Sequence, residues 1–245
     1  MHTFAARMLF GEKPLATGTC FSVSQGERWF IVTNRHNVTG LDQHTGKSLH
    51  SLAAIPNRLA IYLPTPDLGN KWWVHILELY DQQGCPRWVE HPTLGRQADV
   101  VALPFDRPAE TSCFGVVLDD FYDFAVEPGD EVTALGYRFG KPEFSLFPQW
   151  VACTLVTPPN DEYQGLPAFL VRGDTAPGSS GYPIIAYRPN ATGLTHSDGR
   201  PLGTDWASRF LGVYSGRLIG EDVAGLGLVW SIDCVRGVVA AAVAS

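Results

Sequence analysis

The chain contains no run of lysine or arginine, and its 25 acidic residues outnumber its 18 basic ones, for a formal charge of −7. Nucleic-acid binding is therefore not expected, because neutralising phosphates takes clustered positive charge. No uninterrupted apolar stretch approaches the ~20 residues of a membrane span. Val238 to Ala244, near the C-terminus, falls far short of it. The first residues, Met1-His2-Thr3-Phe4-Ala5-Ala6-Arg7, lack the apolar core of a secretory leader. Cysteines are few: Cys20, Cys85, Cys113, Cys153 and Cys234. No two of them form a CxxC pair, and the odd count leaves at least one without a partner. Reduced thiols in a cytoplasmic protein are the expectation. No stretch sustains three turns of helical periodicity, so long amphipathic helices are not expected either.

Glycine (25) and proline (18), in contrast, together exceed one residue in six, and 45% of the chain is hydrophobic. That combination predicts many short strands separated by tight turns. Candidate strands are Gly18 to Val23, Trp29 to Thr33, Leu59 to Leu63, Trp72 to Leu79, Val100 to Leu103 and Phe114 to Leu118. A second set comprises Glu131 to Tyr137, Trp150 to Val156, Ala168 to Arg172, Tyr182 to Ala186, Phe210 to Ser215 and Leu226 to Ile232. The pattern predicts an all-β fold, a sandwich or a barrel. The acidic, turn-rich segment Asp119 to Gly129 separates the two sets, and each can supply about six strands, the number for a small closed barrel. The division is placed at 1–122 and 123–245. Pro64 to Lys71 and Arg188 to Ser208 read as exposed loops, the second as an insertion in a hairpin.

Three short frames carry residues suited to chemistry. In Gly173-Asp174-Thr175-Ala176-Pro177-Gly178-Ser179-Ser180-Gly181-Tyr182-Pro183, glycines flank a serine pair and a strand follows. A nucleophilic serine needs its hydroxyl in a cleft with backbone N–H groups beside it, and Gly178 and Gly181 give the backbone room for that. An ordinary turn between strands has the same composition. In Trp29-Phe30-Ile31-Val32-Thr33-Asn34-Arg35-His36, an apolar strand delivers His36 at its polar end, where a general base belongs. The other histidines (His2, His44, His50, His75, His91 and His196) have no such frame, and none combines with cysteines or carboxylates at zinc-ligand spacing. Asp99, in Ala98-Asp99-Val100-Val101-Ala102-Leu103, leads directly into a core strand, whereas Asp81, Asp106 and the pair Asp119/Asp120 do not.

Taken in chain order, VTNRH, DVVAL and DTAPGSSGYP resemble the trypsin-like serine peptidases, their bacterial branches most closely. Gly18-Thr19-Cys20-Phe21-Ser22-Val23 is similar to the family's first core strand before the histidine. Pro128 to Val132, with Leu135 to Gly140, is similar to the strand that opens its second barrel. The resemblance spans roughly residues 17 to 232. It implies two six-stranded antiparallel barrels with an active site between them, and a Ser-His-Asp triad of Ser180, His36 and Asp99. Gly178 and Ser180 would supply the oxyanion hole. Ser180, directly before the second glycine, is expected as the nucleophile over Ser179. No metal or organic cofactor is implied.

The resemblance also puts Asp174, Ser215, Gly216 and Arg217 around the substrate's side chain. Asp174 lies six residues before Ser180, the spacing of a pocket-floor acid that receives lysine or arginine. Arg217, near the pocket wall, would fill the pocket or favour an acidic side chain, so the preference stays open. The expected substrate is a polypeptide. A cytoplasmic peptidase with no propeptide before its first expected strand is further expected to depend on a regulatory partner, an oligomer or an attached domain. The alternative is a catalytically silent peptide-binding module on the same fold.

Overall fold

The computed structural model describes residues 3–43, 45–66, 72–137, 148–176, 178–218, 220 and 223–245. His2, His44, Pro177, residues 138–140 of the second-barrel frame and the 67–71 part of the first exposed loop lie outside them. The N-terminal half holds β1 (Thr3–Phe10), β2 (Lys13–Gln25), β3 (Arg28–Thr33), the single turn of helix α1 (Arg35–Thr39), β4 (Arg58–Pro64), β5 (Trp72–Glu78) and β6 (Val101–Pro104). The C-terminal half holds β7 (Glu131–Gly136), β8 (Gln149–Leu155), β9 (Ala168–Gly173), β10 (Pro183–Arg188), β11 (Ala207–Arg217), β12 (Leu226–Ser231) and the helix α2 (Ile232–Ala244).

All strand pairings are antiparallel. The C-terminal strands close into a barrel in the order β10-β11-β12-β9-β8-β7, and the N-terminal strands form a six-stranded sheet in the order β5-β4-β1-β2-β3-β6. The chain itself links the edges of that sheet. After β5, Arg87 N–H donates to the Leu79 carbonyl at 2.9 Å, and Val89 then exchanges hydrogen bonds of 2.8 and 3.1 Å with Ala102 of β6. This is the chymotrypsin-like double-barrel architecture expected from the sequence.

Two elements depart from the sequence expectation, and a third was not foreseen. Phe114 to Leu118 is not a strand: only Val116 pairs, in an isolated parallel bridge to Val23. Val116 and Leu118 are buried while Phe114 and Val117 are exposed, and the segment touches β2 at that one bridge without extending into a strand. The strand that completes the N-terminal six is β1. It runs between β2 and β4 and buries Thr3 to Ala6 whole, so it shows no alternation of polar and apolar residues. The helix α2 buries Cys234, Val235, Val238, Val239 and Ala242. That face has helical spacing, but beyond the exposed Asp233 and Arg236 of the first turns the remaining open positions are glycine, alanine and valine, which masks the pattern. Ser231 caps its N-terminus, accepting from Cys234 N–H.

The apolar interior forms three clusters. One fills the N-terminal sheet (Phe4, Ile31, Leu59, Ile61 and neighbours) and one fills the closed barrel (Phe124, Phe169, Tyr182, Ile184, Tyr214 and neighbours). The third joins the halves: Phe21, Phe30 and Val100 meet Phe210, Val213, Trp230 and α2. Phe21 and Phe210 stack edge to face with centroids 5.7 Å apart. Each such fully buried side chain contributes about 2–3 kcal/mol of transfer free energy. The junction of the halves is thus apolar and well packed, which fixes residues contributed from opposite sides. Among the described residues, no helix is long and apolar enough to cross a membrane.

Candidate active site

His36 is the second residue of α1, the turn that ends β3. Its backbone N–H donates to Asp99 Oδ1 at 2.8 Å, and its Nδ1 lies 2.6 Å from Asp99 Oδ2. With an ionised carboxylate as acceptor, Nδ1 carries the proton and Nε2 keeps its lone pair. Asp99 is completely buried and accepts a third bond, from Ser215 Oγ at 2.5 Å. Its carbonyl accepts from Asn34 Nδ2 at 2.8 Å, which ties the residue before α1 to the strand entry at Asp99. A buried carboxylate is tolerated when donors meet it, and here three do. Burial disfavours the charged His36 ring, but the Asp99 charge, its hydrogen bond and the Asp42 charge outweigh that and raise the His36 pKa above the ordinary imidazole value.

Of the other acids considered from the sequence, three are engaged elsewhere. Asp81 accepts from Gln83 and Cys85 N–H in its own loop, Asp119 pairs with Arg236, and Asp106 acts on His75.

Ser180 comes from the opposite half. Its carbonyl accepts from Thr19 N–H of β2 at 2.8 Å, so the serine's backbone is pinned to the N-terminal sheet. Thr19 is buried and makes three further links: its carbonyl accepts from Thr33 Oγ1, its Oγ1 accepts from Tyr137 N–H, and it stands beside Gly181. Gly181 has φ +87°, and a Cβ there would lie 1.9 Å from the Thr19 carbonyl oxygen. Only glycine fits that approach. Ser180 Oγ donates to the Ser215 carbonyl at 3.1 Å. Ser179, by contrast, is 2% exposed, and its Oγ accepts from Ala176 N–H at 3.1 Å, which makes it a turn residue. Gly178 adopts φ +93°. Among the described residues, neither the Gly178 nor the Ser180 N–H donates to another protein group.

Ser180 lines two cavities. The first, of about 280 Å³, it shares with His36, against the apolar side chains of Met8, Leu15, Leu49 and Pro56. The second, of about 320 Å³, is walled by Thr175, Tyr214, Gly216 and Arg217. Ser215 joins the candidate residues through Asp99 and Ser180 rather than through a cavity. Asp174 does not line the second cavity: its side chain is 84% exposed, 3.7 Å from a terminal nitrogen of Arg217. Thr175 and Tyr214 are wall residues that the sequence frames contain but did not single out. Their proximity depends on pairing across 39 positions, which no local signal encodes. Among the described residues, no three His, Cys, Asp or Glu side chains gather as a metal set would.

No protein-family model and no curated protein sequence matches the chain. Solved structures do. The chain is similar to Deg5, with a TM-score of 0.54 and 16% identity over 96% of this chain and 85% of that one. It is similar to the serine endoprotease from Yersinia pestis at TM-score 0.55 and 12% identity, over 99% of this chain and 63% of that one. A third likeness is to the protease Anisep from Arthrobacter nicotinovorans, at TM-score 0.53 and 14% identity, over 100% and 96% of the two chains. The chain therefore has the double-barrel fold of the bacterial trypsin-like serine proteases.

Proposed function

We propose that the protein is a serine endopeptidase in which Ser180 is the nucleophile, His36 the general base and Asp99 the residue that orients and charges it. The observation that carries this reading is one cavity between the halves that Ser180 and His36 both line, with His36 bonded on its far side to buried Asp99. Turning Ser180 Oγ from the Ser215 carbonyl toward His36 Nε2 sets up attack. Oγ bonds to the substrate carbonyl carbon as its proton passes to Nε2, and the imidazolium is held by Asp99. The carbonyl oxygen takes the negative charge and is met by the N–H groups of Gly178 and Ser180, donors typically worth about 3 kcal/mol each in the transition state. His36 then protonates the leaving amine, leaving an acyl-enzyme. Water, deprotonated by His36, releases the acid and restores Ser180.

The regulatory expectation belongs to this reading. A partner, an oligomer or an attached domain would order the loop around Gly178 and release the Ser180 hydroxyl, whose one bond is to Ser215. All five cysteines are free thiols, four of them buried, which fits a reducing, cytoplasmic setting.

The test is labelling with a fluorophosphonate. Labelling that vanishes in Ser180→Ala and persists in Ser179→Ala supports the assignment. A folded protein that takes no label, with or without candidate partners, would instead be a silent peptide-binding module.

A further inference from the structure

The second cavity that Ser180 lines has a definite chemical character. Its floor is the Tyr214 ring, 2% exposed, which lies against Gly227 so closely that a Cβ there would sit 2.3 Å from a ring carbon. The Tyr214 hydroxyl is 2.7 Å from Thr175 Oγ1. Two hydroxyl protons serve that one bond, so whichever group donates, the other O–H is not committed to it. Over this floor lies Arg217. Its Nε donates to Thr175 Oγ1 at 3.2 Å, and a terminal nitrogen donates to the Thr175 carbonyl.

We propose that this cavity receives the side chain on the acyl side of the scissile bond, and that it selects an acidic one. The inference rests on the serine-endopeptidase reading of Ser180 and names its substrate class. A carboxylate brought in beside Arg217 and the Thr175–Tyr214 pair finds a charge-assisted guanidinium contact and an O–H donor together. A lysine or arginine side chain would bring a second cation against Arg217. The acid expected from the sequence to receive it, Asp174, stands in solvent and faces Arg217 from outside. A large apolar side chain would cover the hydroxyls and leave a buried O–H without a partner, which is costly. The Arg217–Asp174 contact is no obstacle. At 3.7 Å, with side chains 56% and 84% exposed, it is a weak surface pair that a substrate carboxylate can displace.

The test uses short fluorescent peptides identical except for Glu, Asp, Gln, Leu or Lys before the bond to be cut. Binding to the full-length Ser180→Ala protein is read by anisotropy, and cleavage by the unsubstituted protein is read as kcat/KM. We expect one of the acidic peptides to exceed the Gln, Leu and Lys peptides by about tenfold or more, the worth of one hydrogen bond to a charged group. Arg217→Gln should abolish the acid-over-amide ratio, and Arg217→Lys should keep part of it. A preference for Lys or Leu, or an acid-over-amide ratio unchanged in Arg217→Gln, overturns the inference. The peptide panel on the Ser180→Ala protein needs no Arg217 variant, so the idea stands or falls even where those variants do not fold. Fluorophosphonate labelling separates the two levels. Labelling at Ser180 without an acidic preference removes only this inference, whereas an acidic preference in a protein that takes no label removes only the enzymatic reading.

Discussion

In the N-terminal half, His36 and Asp99 are locked to one another by two hydrogen bonds, Ser215 donates to the Asp99 carboxylate, and Asn34 holds the Asp99 backbone carbonyl. In the C-terminal half, Ser180 is pinned by its backbone, through Thr19 and the close approach of Gly181, while its hydroxyl has a single bond to Ser215. The contrast follows the chemistry proposed for each side. A general base has to hold one tautomer and one orientation through the cycle, so its side chain is fixed. A nucleophile moves between the base and the substrate carbon, so its main chain is fixed and its side chain is left to turn. The apolar walls of one Ser180 cavity and the hydroxyls and guanidinium of the other extend the same asymmetry to the substrate.

Substitutions on each side should break this arrangement in different ways. Ser180→Ala should lower kcat by about 10⁵-fold or more without loss of fold, measured by steady-state peptide hydrolysis and circular dichroism. Asp99→Asn should cost about 10⁴-fold, because the amide stabilises the wrong imidazole tautomer; a loss below tenfold would show that the lock on His36 is dispensable.

The same lock sets a pH signature. The His36 pKa is raised in the folded chain, so kcat/KM should rise with pH through a midpoint above about 6.5, the unperturbed histidine value. The stability that this group contributes runs the other way. It is fully present below the unfolded value and is lost as pH climbs through the raised folded value. Activity and His36-linked stability should therefore change in opposite directions across one window. Asp99→Asn should move the activity midpoint down.

Gly181→Ala attacks the backbone anchor instead, and should destabilise by about 2–4 kcal/mol in urea titration, since the new Cβ meets a carbonyl oxygen at a positive φ. A stability change under 0.5 kcal/mol would mean that the junction yields more easily than its packing implies. Ser215→Ala is expected to have the smallest effect, about tenfold in kcat/KM, through the loss of one charge-assisted bond to Asp99. Its carbonyl contact with Ser180 should survive.

Eleven of the twelve candidate strands fall on observed ones, because short apolar runs bounded by glycine and proline are local signals. The errors have a common cause. Phe114 to Leu118 has strand composition, but its one strand pairing is the Val116 bridge to β2, and Phe114 and Val117 are exposed. β1 and α2 are the reverse: both pack into the core, but neither shows a clear pattern, since β1 runs between two strands and the open face of α2 after Arg236 is glycine, alanine and valine. At the site, the frames around His36, Asp99 and Ser180 were legible because each pairs a reactive side chain with a strand end or a glycine turn. Ser215 was legible only as a substrate contact, because its bond to Asp99 spans 116 positions.

The sequence by itself determined the all-β architecture and the small set of groups able to do chemistry. Local composition encodes strands and turns, and few side chains are reactive. The tertiary structure decided which of those groups meet. It brought Asp99 rather than Asp81, Asp106 or Asp119 to His36, buried Ser179 and left Ser180 lining the cavities, and turned Asp174 to solvent while laying Arg217 over Thr175. Those outcomes depend on how two packed halves meet across an apolar interface, where contacts tens of residues apart are set by packing rather than by spacing along the chain.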